Sequence, residues 1–236
     1  MPEKHLSLHE KTTMNILEAI EQRHSVRRYE DRAIEPEKIR ALQQIVNECN
    51  HNTGMHIQMV INDPKAFDSR LAHYGRFSGV RNYFVIAGKK AKDLEEKSGY
   101  YGERIVLEAQ MMGLNTCWVA LTFRKNPEVY NLVPGEKFVC VIAFGYGKTQ
   151  GVSHKIKPRA EVMECDGMPP EWFIQGVDAA LLAPTALNQQ KFRFILRKGV
   201  VKMRKGFGFW TKVDLGIVKY HFEVAAGKEN FEWAHK

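Results

Sequence analysis

Three short apolar runs, RNYFVIAG (81–88), CWVAL (117–121) and KFVCVIAFG (137–145), constrain this chain more than any other feature. Each falls well short of the ~20 residues of a membrane helix, and each is too continuous for a strand wetted on one face. They read as buried strands, which need helices or a second sheet to cover them. The covering helices are legible. Met14, Leu17 and Ile20 form one stripe, with Thr12 or Thr13 as its cap. Pro36 stands at a first-turn position, and Ile39, Leu42, Ile45, Val46 and Cys49 follow at helical spacing. From Gly102 a longer helix carries Ile105, Leu107, Ala109 and Met112 and closes at Gly113. HIQMVI (56–61) adds a strand.

After Gly145 the pattern restarts. EWFIQGVDAALLAP is a helix ended by Pro184, KFRFIL a strand, and DLGIVKYHFEVAAG a helix closing on Gly227. The segments 38–61 and 171–196 both run helix, polar loop, strand. Likewise ERIVLEAQMMGLNTCW and IVKYHFEVAAGKENFEW both run helix, glycine, tryptophan-ended strand. Chance echoes occur in any α/β chain, but near-equal loop lengths in two successive units point to an internal repeat. A repeated chain is a covalent pseudo-dimer, and the cleft between its halves is the natural ligand site.

Composition narrows the class. A chain of 236 residues with 44% hydrophobic and 26% charged residues is globular rather than disordered. Its N-terminus is polar, without the apolar region of a secretory signal. The cysteines at 49, 117, 140 and 165 form no paired spacing, as expected of small buried groups in a reducing cytoplasm. The formal charge of +8 invites nucleic acid, yet its richest stretch, KFRFILRKGVVKMRK, alternates cations with apolar residues like a half-buried hairpin. No nucleic-acid motif accompanies it. The same field would draw in anionic small molecules. Neither a nucleic-acid nor a membrane partner is expected.

FGYGKTQG contains Gly-Lys-Thr, but a phosphate loop needs glycine at position 142, which is Ile. Gly145-x-Gly147 lacks the third glycine and the helix of a dinucleotide fingerprint. No zinc or serine-hydrolase spacing is present. The informative segment is RHSVRRY, directly after the first helix. In an extended chain alternate side chains share a face, so Arg23, Ser25 and Arg27 are expected to converge. Two guanidinium forks and a hydroxyl suit a phosphate dianion. The bland alternative is a basic surface turn.

RHSVRRY resembles the R-x-S-x-R segment of the nitroreductase-like flavoproteins, which holds the FMN phosphate. The resemblance runs from about Ile16 to Trp233 and implies an α+β or α/β fold, a mixed sheet flanked by helices. ERIVLEAQMMGLNTCWVALTF resembles the family's central helix and the turn whose amides reach flavin N5 and O4, which implies Ala120 and Leu121 here, with Val119 adjacent. GYGKTQGVSHKIKPR resembles the basic return to the phosphate and leaves Lys155, Lys157 and Arg159 as alternatives. The family's P-[ST]-x-x-N-x-Q loop is degenerate after the second helix and stands instead in the second half, as Pro184-Thr185-x-x-Asn188-x-Gln190. The second half in turn has no arginine-serine-arginine segment. Complementary loss of this kind is what fusion of a two-site dimer into a one-site chain leaves behind.

On this resemblance residues 1–236 form one intertwined unit, with halves near 12–160 and 161–236. Arg23, Ser25 and Arg27 would grip phosphate and ribityl oxygens, with Lys155 or Arg159 assisting and His24 contributing its backbone. Pro184 and Thr185 would pack on the flavin edge, and Asn188 and Gln190 would offer amides. Arg76, Arg81 and Asn82 are candidates for the N1, O2 and N3 side. The resemblance implies a ping-pong reductase that takes a hydride from NADH or NADPH through flavin N5 to a nitroaromatic, quinone or similar small-molecule acceptor. No side chain need act as acid or base, since flavin is the reactive group. The alternative is a flavin carrier or redox sensor without efficient turnover. A monomer is compatible with an internal pseudo-dimer.

Overall fold

A computed structural model describes residues 14–51 and 53–234. The first helix, α1 (Ile16–Gln22), is capped by Asn15. Its side-chain oxygen accepts from the amides of Leu17 and Glu18 at 3.0 Å, and the Glu18 carboxylate accepts from the Asn15 amide at 2.9 Å. Asn15 therefore replaces the expected threonine cap; Thr12 and Thr13 lie outside the described residues. Helix α2 (Pro36–Asn50) opens on its proline and buries Leu42, Ile45, Val46 and Cys49. After β1 (Gln58–Val60), α3 (Arg70–Tyr74) and β2 (Asn82–Lys89) comes the long helix α4 (Leu94–Met111). It starts well before Gly102. Glycine disfavours helix, so propensity hid this part; tertiary contact restores it. A Cβ at Gly102 would meet the Trp118 ring at 2.4 Å, and one at Gly99 would meet the Val213 carbonyl oxygen at 2.0 Å.

The remaining elements are β3 (Asn115–Val119), β4 (Glu136–Gly145), α5 (Arg159–Val162), β5 (Met163–Cys165), α6 (Glu171–Leu182), β6 (Phe192–Arg197), β7 (Val200–Lys205), α7 (Thr211–Ala226) and β8 (Glu232–Trp233). The first sheet, in order β1-β2-β4-β3, is antiparallel throughout. The second, β5-β6-β7-β8, is mixed: its outer pairs are parallel and its central hairpin antiparallel. The arrangement is α+β, with two sheets flanked by helices.

Both faces of the first sheet are covered, as continuous apolar runs require. Along β2, Phe84 and Ile86 face the main core with Ile105, Val106 and Ala109 of α4, whereas Tyr83, Val85 and Ala87 face a second cluster around Phe67, Phe77 and Phe123. The main core continues through Val177, Phe194, Ile217 and Phe222 into the second sheet. Lys198 and Gly199, at φ 49° and 79°, turn the basic hairpin, whose Phe192, Phe194 and Leu196 point inward while Arg193 stays wet.

Two stretches of the chain share most of an element order. Apart from α3, which has no counterpart, the succession α2, β1, β2, α4, β3 matches α6, β6, β7, α7, β8. Strands β2 and β3 both run antiparallel to β4 between them, hence parallel to each other; β7 and β8 are parallel and directly paired. A β4 counterpart is what the second sheet lacks. The matching helices α4 and α7 pack against each other, with Gly99 and Gly216 at the crossing.

Candidate functional site

Arg23 is the C-cap of α1, and from there the chain turns extended along the free edge of the first sheet. Val26 donates its amide to the Thr116 carbonyl at 3.0 Å and Tyr29 donates to the Ser78 carbonyl at 2.9 Å. Val26 and Tyr29 are buried by this pairing, and Ser25 and Arg27 border a cleft on the other side. Arg23 does not join them. Its own direction is set by the helix end, and its guanidinium lies inside the protein, 3% exposed. One nitrogen donates to the Leu182 carbonyl at 3.4 Å, and Nε stands 3.9 Å from Glu103 with no hydrogen-bond partner among the described residues. Burial pulls the Arg23 pKa below its ordinary value, and Glu103 opposes that shift. The expected three-way convergence is corrected to two residues in the cleft and one behind it. His24 does not line the cleft either; it rests against Gly151, and burial lowers its pKa.

The opposite wall comes from the end of β3 and from the loop after α6. The ladder to β4 stops at Val119, paired with Val141, so the amides of Ala120 and Leu121 lie beyond it. Trp118, Val119 and Ala120 line the cleft; Leu121 is 62% exposed and outside the lining. Across from them stand Pro184, Thr185, Ala186 and Leu187. Asn188 and Gln190 of the same loop are turned away. The Asn188 amide donates to the Lys155 carbonyl at 2.9 Å, and the Gln190 amide donates there at 2.7 Å while its oxygen accepts the Lys157 backbone N–H at 2.9 Å. These side chains tie the loop to the basic segment rather than facing the cleft. Arg159 is held outside by both oxygens of Asp178, at 2.6 Å each, and neither Lys155 nor Lys157 lines the cleft.

The cleft is half open, with a cavity volume of about 140 Å³. An adjoining recess shares Arg27, Trp118, Val119 and Ala120 with it and adds Arg76. Arg81 instead pairs with Asp31 at 2.9 Å, and Asn82 accepts the Asn62 backbone N–H at 3.0 Å, so of these three only Arg76 reaches the cavity system. Backbone strain gathers here. Among the described residues seven non-glycine residues have positive φ; Leu187, Asn188 and Gln190 lie in this loop, and Arg76 and Trp210 border the cavities. Sites where the backbone is held in costly conformations are often functional ones.

The first turns of α7 close the cleft with Trp210, Val213, Asp214 and Ile217, none of which sequence reasoning singled out. Burial pushes the Asp214 carboxyl up to about 6, against the downward pull of hydrogen bonds from the Ala186 amide at 2.9 Å and the Gln189 side chain at 2.7 Å. Its one sequence signal is a carboxylate inside the buried stripe of Val213, Ile217 and Val218. One arginine, two hydroxyls and strand-end amides around walls of Trp118, Pro184 and Trp210, with Arg76 in the adjoining recess, suit a flat ring with an anionic tail.

The protein-family model described as "Putative TM nitroreductase" matches residues 15–226. The chain belongs to this family. The match runs from the cap of α1 to the last residue of α7 and includes every residue lining the cleft. Among solved structures the chain is similar to a putative nitroreductase from Thermotoga maritima, with 25% identity and a TM-score of 0.66 over 96% of this chain and 90% of that one. It shares its fold with a putative NADH dehydrogenase/NAD(P)H nitroreductase from Bacteroides thetaiotaomicron, at 21% identity and a TM-score of 0.51. That likeness covers 62% of this chain and 95% of the other. No curated protein matches the sequence. Among the described residues no helix is long and apolar enough to cross a membrane, and no side-chain group is arranged to hold a metal ion.

Proposed function

We propose that this nitroreductase-family chain is an FMN-dependent NAD(P)H oxidoreductase whose single flavin site lies between two fused halves. One observation carries the reading: Ser25 and Arg27, Val119 and Ala120, and residues 184–187, which are remote in sequence, border one cleft. Bound FMN would supply the redox chemistry, accepting a hydride at N5 from NADH or NADPH and passing it to a nitroaromatic, quinone or similar electrophile.

The chain's own part is binding and orientation. Ser25 and Arg27 offer a hydroxyl and a guanidinium to the phosphate and ribityl oxygens, and Arg23 supports that segment from behind through its contact with Glu103. The amides of Ala120 and Leu121, freed where the ladder ends, can donate to ring acceptors. Pro184 and Thr185 cover a ring edge, and Asn188 and Gln190 fix the loop that carries them. Arg76, in the adjoining recess, would set positive charge near a bound ring, which becomes anionic on reduction. The shared element order supports the fused-halves reading, in which a site completed within one chain needs no partner subunit.

The test is direct. The purified protein should be yellow, heat should release FMN at close to one per chain, and NADH or NADPH should be oxidised steadily with a quinone acceptor. A colourless protein that takes up no added FMN would overturn the proposal; FMN without turnover would leave a carrier or sensor.

A further inference from the structure

A second cavity of about 420 Å³ opens beside the cleft and shares Trp210 and Val213 with it. Lys137, Lys205 and Lys212 line it against one carboxylate, Glu95, with Phe209 and Trp210 as aromatic walls. Glu95 is divided between Lys137 at 2.9 Å and Lys212 at 3.6 Å, and the hydrogen bond from Lys137 holds its carboxyl below the usual range. Lys205 makes no ion pair among the described residues. Three ammonium groups against one carboxylate leave a surplus of two positive charges in a partly enclosed space.

Ammonium groups bind phosphates as point charges, and aromatic walls stack on a purine. A dinucleotide whose nicotinamide end reaches a flavin held in the cleft would extend its other end past Trp210 into this cavity. We infer that the second cavity holds the adenosine end of a reduced pyridine dinucleotide with its 2′-phosphate against Lys205, so that the chain takes NADPH in preference to NADH. This rests on the oxidoreductase reading above.

The FMN-loaded protein is titrated calorimetrically with 2′-phospho-ADP-ribose and with ADP-ribose, neither of which carries nicotinamide, so binding is read apart from turnover. The phosphorylated probe should bind about ten-fold tighter or more, as a charge-assisted contact implies. Lys205→Ala should remove most of that gap and Lys205→Arg should restore it. Equal affinities, or a gap that survives Lys205→Ala, would overturn the inference. Flavin bleaching by each dinucleotide separates the two claims. Bleaching by both at equal affinity, with equal probe binding, sinks this site and keeps the oxidoreductase. Preferential probe binding with no bleaching by either dinucleotide keeps the site and sinks the oxidoreductase.

Discussion

His221 Nε2 lies 2.8 Å from Glu103 Oε1, joining α7 to α4 with neither side chain exposed. The other Glu103 oxygen accepts the Trp118 indole N–H at 2.8 Å, and Arg23 approaches within 3.9 Å. One carboxylate thus fastens the end of α1, strand β3 and both central helices directly behind the cleft. Removing one member of a buried charged cluster strands the others, so Glu103→Ala should cost about 3–5 kcal/mol. Urea unfolding followed by tryptophan fluorescence reads this, and Glu103→Gln, which keeps an acceptor for Trp118, should lose less.

The α4–α7 crossing depends on two missing side chains. A Cβ at Gly216 would lie 1.9 Å from the Glu96 carbonyl oxygen, and one at Gly99 2.0 Å from that of Val213. Either substitution to alanine should destabilise by roughly 1–3 kcal/mol, the usual cost of overpacking. The double variant should depart from additivity, because both residues open the same crossing. Thermal unfolding of the two single variants and the double variant checks both statements.

Asp214 carries a pH signature. Its carboxyl titrates at about 6 in the fold against an ordinary 3.8. Below the lower value it is protonated in both folded and unfolded states; above the higher value it is ionised in both, and its burial cost is complete. Stability from this group is therefore lost as pH rises between those values, by up to about 3 kcal/mol at 1.36 kcal/mol per pKa unit. Asp214→Asn lacks this titration. The unfolding free energy of the variant minus that of the wild type should therefore climb from about pH 4 to pH 7 and then level off. A flat difference would mean that the carboxyl is not perturbed.

Arg27 should govern flavin retention without governing the fold. Arg27→Ala should weaken FMN binding by about ten-fold or more, the range expected when a charged hydrogen bond is lost. Its melting temperature measured without flavin should barely move, since the side chain borders the cavities rather than a core contact. Arg23→Ala should lose flavin and stability together, because that side chain is buried. Flavin fluorescence titration beside thermal unfolding separates the two arginines.

Gln190 links the second-half loop to the basic segment by two side-chain hydrogen bonds, to Lys155 and Lys157, and braces the loop by a third to Asn188. Gln190→Leu should leave those groups unmet, cost about 1–3 kcal/mol and loosen FMN by moving Pro184 and Thr185. Limited proteolysis near residues 185–190 should quicken in step.

Much of this architecture was legible in the chain. Apolar runs of strand length gave the buried first sheet, the Pro36 stripe gave α2, and Pro184 marked the end of α6. The start of α4 was not legible, because Gly99 and Gly102 signal against helix unless the helix and ring they admit are known. Asp214 was missed for a related reason: a carboxylate in a helical stripe looks solvated until the loop that hydrogen-bonds it is in place.

Local pattern determined which segments are helix or strand and which carry the anion-binding residue types, because side-chain periodicity and charge are written along the chain. Only the tertiary structure decided where those side chains point. Alternation set Arg23, Ser25 and Arg27 on one face, but Arg23 still belongs to a helix end and finds Glu103, 80 positions onward in the chain, inside the core. The meeting of Ser25 and Arg27 with residues 184–187 was likewise decided by the packing of elements remote in sequence. Contacts between remote segments are fixed by packing, which no local signal encodes.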